Sequence, residues 1–199
     1  MSDWKAKMEA RLKEWQADFE ELQVQLNLGK KEAADQFEVQ KKRMAQWLEE
    51  QRSEAKEELS EARSELQEAY AELLDKLKKS SKAAEGNLKE QQAMFASAMG
   101  NLQAKARKAQ EEGGAQAREA ADTAQDHLSR FQAKMAVLAM HARDEAKEDY
   151  EEAKEEAREA LEKFKKKSAE WQAEAEEEWK EFRADFDKTI GKWKDYFNK

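Results

Sequence analysis

The residues in this chain best suited to chemistry are few. It has two histidines, His127 and His141, and no cysteine. His141 and Glu145 stand four apart, the spacing at which one helix face offers two ligands to a metal. Two ligands leave a site incomplete, and a chain with 45 acidic residues produces such a pair by chance. His127, beside Leu128, reads as a helix-edge residue. The carboxylates lack an apolar setting that would raise a pKa for acid–base work. There is no glycine-rich phosphate loop and no nucleophile motif, and the lack of cysteine excludes disulfides and thiolate zinc sites. The sequence therefore predicts no catalytic residue, metal, cofactor or small-molecule substrate. It points to a protein that is not an enzyme.

Apolar side chains carry more information. Trp4, Trp15, Leu26, Phe37, Leu48, Leu59 and Tyr70 recur every 11 residues, and so do Phe131, Ala142, Ala153, Phe164, Ala175, Phe186 and Phe197. Eleven residues are almost three turns of α-helix, so each series makes one nearly straight stripe. With 41% charged residues and no proline, the composition is that of long helices or a coiled coil. The net charge of −8 argues against nucleic acid as a partner. No window approaches the ~18 apolar residues of a membrane span, and the first residues lack the apolar core of a signal peptide. The expectation is a soluble, cytoplasmic protein.

Residues 1–85 read as one long helix, with Gly29 too weak a breaker to end it. Residues 86–114 form a basic, Ala/Gly-rich middle, and residues 115–199 a second long helix. Ser80-Ser81, Gly86-Asn87, Gly100-Asn101 and Gly113-Gly114 supply helix stops. From Lys78 to Lys108 the chain is +5. Lys30, Lys41, Arg52 and Arg63 repeat at the same step of 11, with stems that can snorkel along the seam edge.

Folding at Gly100 would pair Trp15 with Phe186, Phe19 with Phe182, Leu22 with Trp179 and Phe37 with Phe164. Arg52 would face Asp149 as a register pair. The predicted fold is all-α: an elongated antiparallel helical hairpin with 11-residue periodicity, about 150 Å long. The alternative keeps residues 86–114 as a third, short helix.

The two ends carry a resemblance. Leu12-Lys13-Glu14-Trp15 opens a charged helix. Glu178-Trp179-Lys180-Glu181-Phe182 and Lys192-Trp193-Lys194-Asp195-Tyr196-Phe197 make a doubled tryptophan-containing ending. These stretches resemble a family of short bacterial coiled-coil proteins described as stress-response proteins. The resemblance covers residues 1–75 and 140–199, and the chain is about twice the length usual for that family. It implies a cytoplasmic, stress-linked, non-enzymatic role and supplies no catalytic residues.

Two groups are candidate contact sites. Trp4, Trp15, Trp179, Phe186, Trp193 and Phe197 would gather at the joined ends, as a core lock or as an aromatic patch for self-association. Met94, Phe95 and Met99, collared by Lys89, Lys105, Arg107 and Lys108, would form a basic apolar tip suited to an anionic membrane. The first reading is a structural scaffold that forms homo-oligomers, dimers or higher. The alternative is an amphipathic protein that binds a lipid, membrane or granule surface in the manner of apolipoproteins, phasins or membrane-shaping modules.

Overall fold

The computed structural model describes residues 3–53, 61–84, 87–141, 148–170 and 176–198, with side chains for 5–53, 61–84, 87–141, 150–170 and 178–193. Among these residues there are seven α-helices: α1 Asp3–Gln25, α2 Lys30–Ser53, α3 Glu61–Lys79, α4 Leu88–Glu112, α5 Ala115–Met140, α6 Glu148–Glu170 and α7 Glu176–Asn198. The all-α expectation holds. No helix among them is long and apolar enough to cross a membrane.

The two long helices expected from the sequence are divided. Gly29 does end a helix, because its neighbours supply the missing partners. Asn27 Nδ2 donates to the Gln23 carbonyl at 3.0 Å, and the Glu32 carboxylate accepts the Gly29 N–H at 3.1 Å. A glutamate reaching back to the residue that caps its own helix is half of a capping box. The Ser80 hydroxyl donates to the Leu77 carbonyl at 2.7 Å and closes α3, while Asn87 Oδ1 accepts the Ala84 N–H at 2.8 Å ahead of α4. Gly113 and Gly114 separate α4 from α5. Gly100 stops nothing and lies inside α4.

Side-chain pairs give the direction of each helix. Lys7 with Glu119, Arg130 with Asp18 and His141 with Gln25 hold nearly constant sequence offsets, so α1 and α5 run the same way. Arg183 with Asp126 and Asp187 with Ser129 show that α7 runs with them. Gln16 with Ser168 and Gln23 with Glu162 show that α6 runs against α1. Trp47 with Tyr70 and Gln67 with Gln51 set α2 against α3; Lys108 with Glu65 and Asn101 with Glu72 set α3 against α4. Odd-numbered helices point one way and even-numbered ones the other.

The helices make two cores that share α5. One gathers Phe37, Leu48, Leu66, Tyr70, Leu73, Phe95 and Leu102 from α2, α3 and α4 around Leu128, Phe131, Met135 and Leu138. The other gathers Trp15, Phe19, Leu22, Leu161, Phe164, Trp179, Phe182 and Phe186 from α1, α6 and α7 around Ala133, Ala136, Val137 and Met140. Every residue of α5 from Leu128 to Met140 is buried. A helix apolar on opposite sides is a core helix, and Met135-Ala136-Val137-Leu138-Ala139-Met140 is one uncharged run.

The elongated hairpin is corrected accordingly. Trp15 does meet Phe186, with ring centroids 4.7 Å apart, and Phe19 meets Phe182 at 6.3 Å. Their helices, however, run in the same direction, so these contacts belong to one aromatic cluster. Phe37 and Phe164, which the hairpin would pair, lie in different cores. An 11-residue stripe fits a short helix as well as a long one, and among the described residues the helices bury Trp15, Leu26, Phe37, Leu48 and Tyr70 in two cores, not along one seam.

Candidate functional site

Two four-helix groups meeting along one helix leave a cleft on each side of it. The first cleft lies between α1 and α2 over α5, with a volume of about 250 Å³. Trp47 is stacked on His127 there, with centroids 4.3 Å and planes 13° apart. Arg130 pairs with Glu14 at 2.9 Å and with Asp18 at 3.0 Å. Lys134 pairs with Asp18 at 2.5 Å and Glu21 at 2.7 Å, and Arg43 with Glu21 at 2.9 Å. Burial pushes the His127 ring down to about 3, helped by the charges of Arg130, Lys134 and Arg11. Burial alone would raise the Glu21 carboxyl, but the hydrogen bond and charge of Lys134, then Arg43 and Gln40, hold it below the ordinary value. These ion pairs lock the cleft's charges together. The neutral histidine lies among cations, which suits packing better than proton transfer near neutral pH.

Behind the second cleft is a buried charge knot. Arg183 of α7 donates to Asp126 Oδ1 at 3.0 Å and lies 3.8 Å from Asp122, while Arg11 Nε of α1 is 3.5 Å from Asp126 Oδ2. Burial pushes the Asp126 carboxyl up, against the pull of Arg183, Arg11 and Arg130. The knot ties α1, α5 and α7 in one register.

The second cleft is open. It runs between α4 and α7, which are held apart while each packs on α5. One end, about 460 Å³, is lined by Arg107, Lys180, Arg183 and Lys188 with Gln103, Gln110, Gln125 and a single carboxylate, Asp187. An adjoining hollow of about 270 Å³, between α4 and α5, is lined by Ala93, Ala96, Met99 and Gly100 with Gln92, Gln103 and Gln132. Gln103 is common to both. The cleft is polar, small-sided and basic at one end, on a chain whose net charge is −8.

The residues expected at contact sites are redistributed. Trp15 and Phe186 are fully buried, Trp179 and Trp193 nearly so. They form the aromatic centre of the protein's own second core and present no patch to a second copy. Two helices could not cover these indoles, but α1, α5, α6 and α7 together do. The side chains of Trp4, Asp149 and Phe197 lie outside the described residues, so the Arg52–Asp149 register pair and the two outer aromatics have no described contact. Arg52 itself is exposed in the last turn of α2.

The basic apolar tip is also corrected. Residues 88–112 are a helix packed between α3 and α5. Phe95 is fully buried and Met99 nearly so, leaving Met94 exposed. Lys105 and Lys108 pair with Glu65 at 3.0 and 2.9 Å. Lys89 is half-buried, while Arg107 is exposed and lines the open cleft.

Lys41 was unremarkable in the sequence, one of a stripe of basic residues. It is buried, and its ammonium donates to Glu38 at 2.6 Å, the Ser81 carbonyl at 2.9 Å and Gln91 at 3.0 Å. All three of its protons are used, fastening α2 to the α3–α4 connection. His141 is fully buried: its Nε2 lies 2.7 Å from the Gln25 carbonyl and its Nδ1 3.2 Å from the Tyr150 hydroxyl. Glu145, its sequence partner for a metal, lies outside the described residues.

The open cleft had a signal that sequence reading missed. Ala93, Ala96, Gly100, Gln103, Arg107 and Gln110 follow each other at alternating steps of three and four, a helix-contact stripe written in small and polar residues. No protein-family model, curated protein or solved structure matches the chain.

Proposed function

We propose that the protein is a non-catalytic scaffold that works by self-association through helix faces on its surface. The observation that carries this reading is the open cleft between α4 and α7, where a helix-spaced stripe of small and polar residues faces solvent. The ion-paired charges of the first cleft support the non-catalytic part, because those groups are already committed to one another. The rings of Trp15, Trp179, Phe186 and Trp193 fill the second core and take no part in this surface.

The lipid-surface alternative relied on Met94, Phe95 and Met99 inserting together. With Phe95 and Met99 in the core, that support is reduced to Met94. Sedimentation of the purified protein over a range of concentrations tests the scaffold reading. A mass rising above 23.1 kDa is expected, and a constant monomer mass would overturn it. Flotation with anionic and neutral vesicles tests the alternative; the scaffold reading expects no flotation with either.

A further inference from the structure

The stripe on the open side of α4 is distinct from the one that α4 buries. Leu88, Phe95, Leu102 and Ala109 face the core, whereas Gln103, Arg107 and Gln110 line the cleft and Ala93, Ala96 and Gly100 continue the same side of α4 into the adjoining hollow. Across it, α7 contributes Lys180, Ala184 and Asp187, again at steps of four and three. This is the spacing with which one helix receives another. Ala93, Ala96, Gly100 and Ala184 are exposed, and a Cβ built on Gly100 would meet nothing within 4 Å. The walls are low enough for a further helix to approach closely.

Charge identifies what such a helix must carry. Four cations line the basic end against one carboxylate. Arg183 is committed to Asp126 and Asp122, and Asp187 accepts from the Ser129 hydroxyl. Arg107 and Lys188 form no ion pair among the described residues and are exposed. The occupant needs a row of carboxylates on one helical face.

The chain itself has such a row. α6 turns Tyr150, Ala153, Ala157, Leu161 and Phe164 into the second core. Its opposite face carries Glu152, Glu155 and Glu159, all exposed and spaced three and four apart. Glu155 is paired with Arg158 at 2.5 Å on the surface, an interaction weak enough to exchange.

The geometry points to the cleft between α4 and α7 as the docking site for the acidic outer face of α6 from a second copy of this chain. This rests on the self-association reading and names its two surfaces. Because they are different patches, each copy offers one of each, and copies join as a reciprocal pair, a row or a ring. Such an assembly is held by charge and weakens with salt.

A charge-swap experiment tests it, using sedimentation of the full-length protein at low and moderate salt with folding checked by circular dichroism. One variant carries Arg107→Glu and Lys188→Glu; the other carries Glu152→Lys and Glu159→Lys. Each alone is expected to stay at the monomer mass where the wild type associates, and an equimolar mixture to associate again. Ala184→Trp, which fills the cleft without changing its charge, should also block assembly. If the wild type associates and all three variants do so equally, this pairing is wrong while self-association stands. If the charge variants lose association but the mixture does not regain it, α6 is not the occupant. A wild type that remains monomeric at every concentration overturns both readings.

Discussion

Trp47 lies flat on His127, with the ring centroids 4.3 Å apart. The stack lines the first cleft and leaves the imidazole half-buried, with Arg130, Lys134 and Arg11 as its charged neighbours. The consequence is a pH dependence of known sign. In the unfolded chain His127 takes a proton near 6.5, while in the fold it does so only near 3. Between those values the unfolded state binds the extra proton, so stability falls as pH falls, by up to about 1.4 kcal/mol per unit from this group. Urea unfolding at pH 7.5 and pH 5 measures it. His127→Gln should flatten that part of the profile; an unchanged slope would mean that His127 titrates normally in the fold.

Gly113 is where α4 must turn into α5 without a side chain. A Cβ there would lie 2.3 Å from the Ala109 carbonyl oxygen and 2.7 Å from the Ala117 Cβ. Gly113→Ala should therefore destabilise the protein, by about 1–3 kcal/mol as for other overpacked positions. Gly114→Ala, where a Cβ meets nothing within 4 Å, should cost much less. Thermal melts of the two variants make the comparison, and equal losses would show that the close approach at Gly113 is absent.

Trp15 packs against Phe19, Trp179, Phe182 and Phe186, with centroids 4.7–5.8 Å away. Truncation to alanine should cost about 3–5 kcal/mol. Because the cluster lies inside one molecule, that loss should be the same at low and high protein concentration. A loss seen only where the protein is associated would return these rings to an interface.

Asp126 connects three helices through Arg183 and Arg11. Asp126→Ala leaves Arg183 buried with the more distant Asp122 as its remaining ion-pair partner among the described residues, and breaking a buried pair from one side costs about 3–5 kcal/mol. Replacing Asp126 and Arg183 together with apolar residues should recover much of the loss. A double-mutant cycle in urea reads the coupling directly, and simple additivity would deny it.

Much of the helical content was legible because the cues were local. The apolar stripes, the serines after α3 and the Gly113-Gly114 pair each act within a turn or two of themselves. Topology was not legible from the same cues. The spacing that lines up Trp15, Leu26, Phe37 and Leu48 is satisfied equally by one long helix and by two short ones. What separates them is the Asn27–Glu32 capping around Gly29, which a propensity argument about one glycine overlooks. Lys41 looked like its neighbours in the basic stripe, since nothing local shows that Ser81 and Gln91 will surround it. The run from Met135 to Met140 was the strongest neglected cue: a helix with no polar side over that length must be covered all round.

That run also offers the most direct test of the fold. Hydrogen–deuterium exchange, followed by mass spectrometry under native conditions, reports protection segment by segment. If α5 is the shared centre of two cores, residues 128–140 should exchange more slowly than any other segment, through global unfolding alone, while the outer helix α6 opens sooner. Exchange across 128–140 as fast as in α6 would contradict a bundle built around α5.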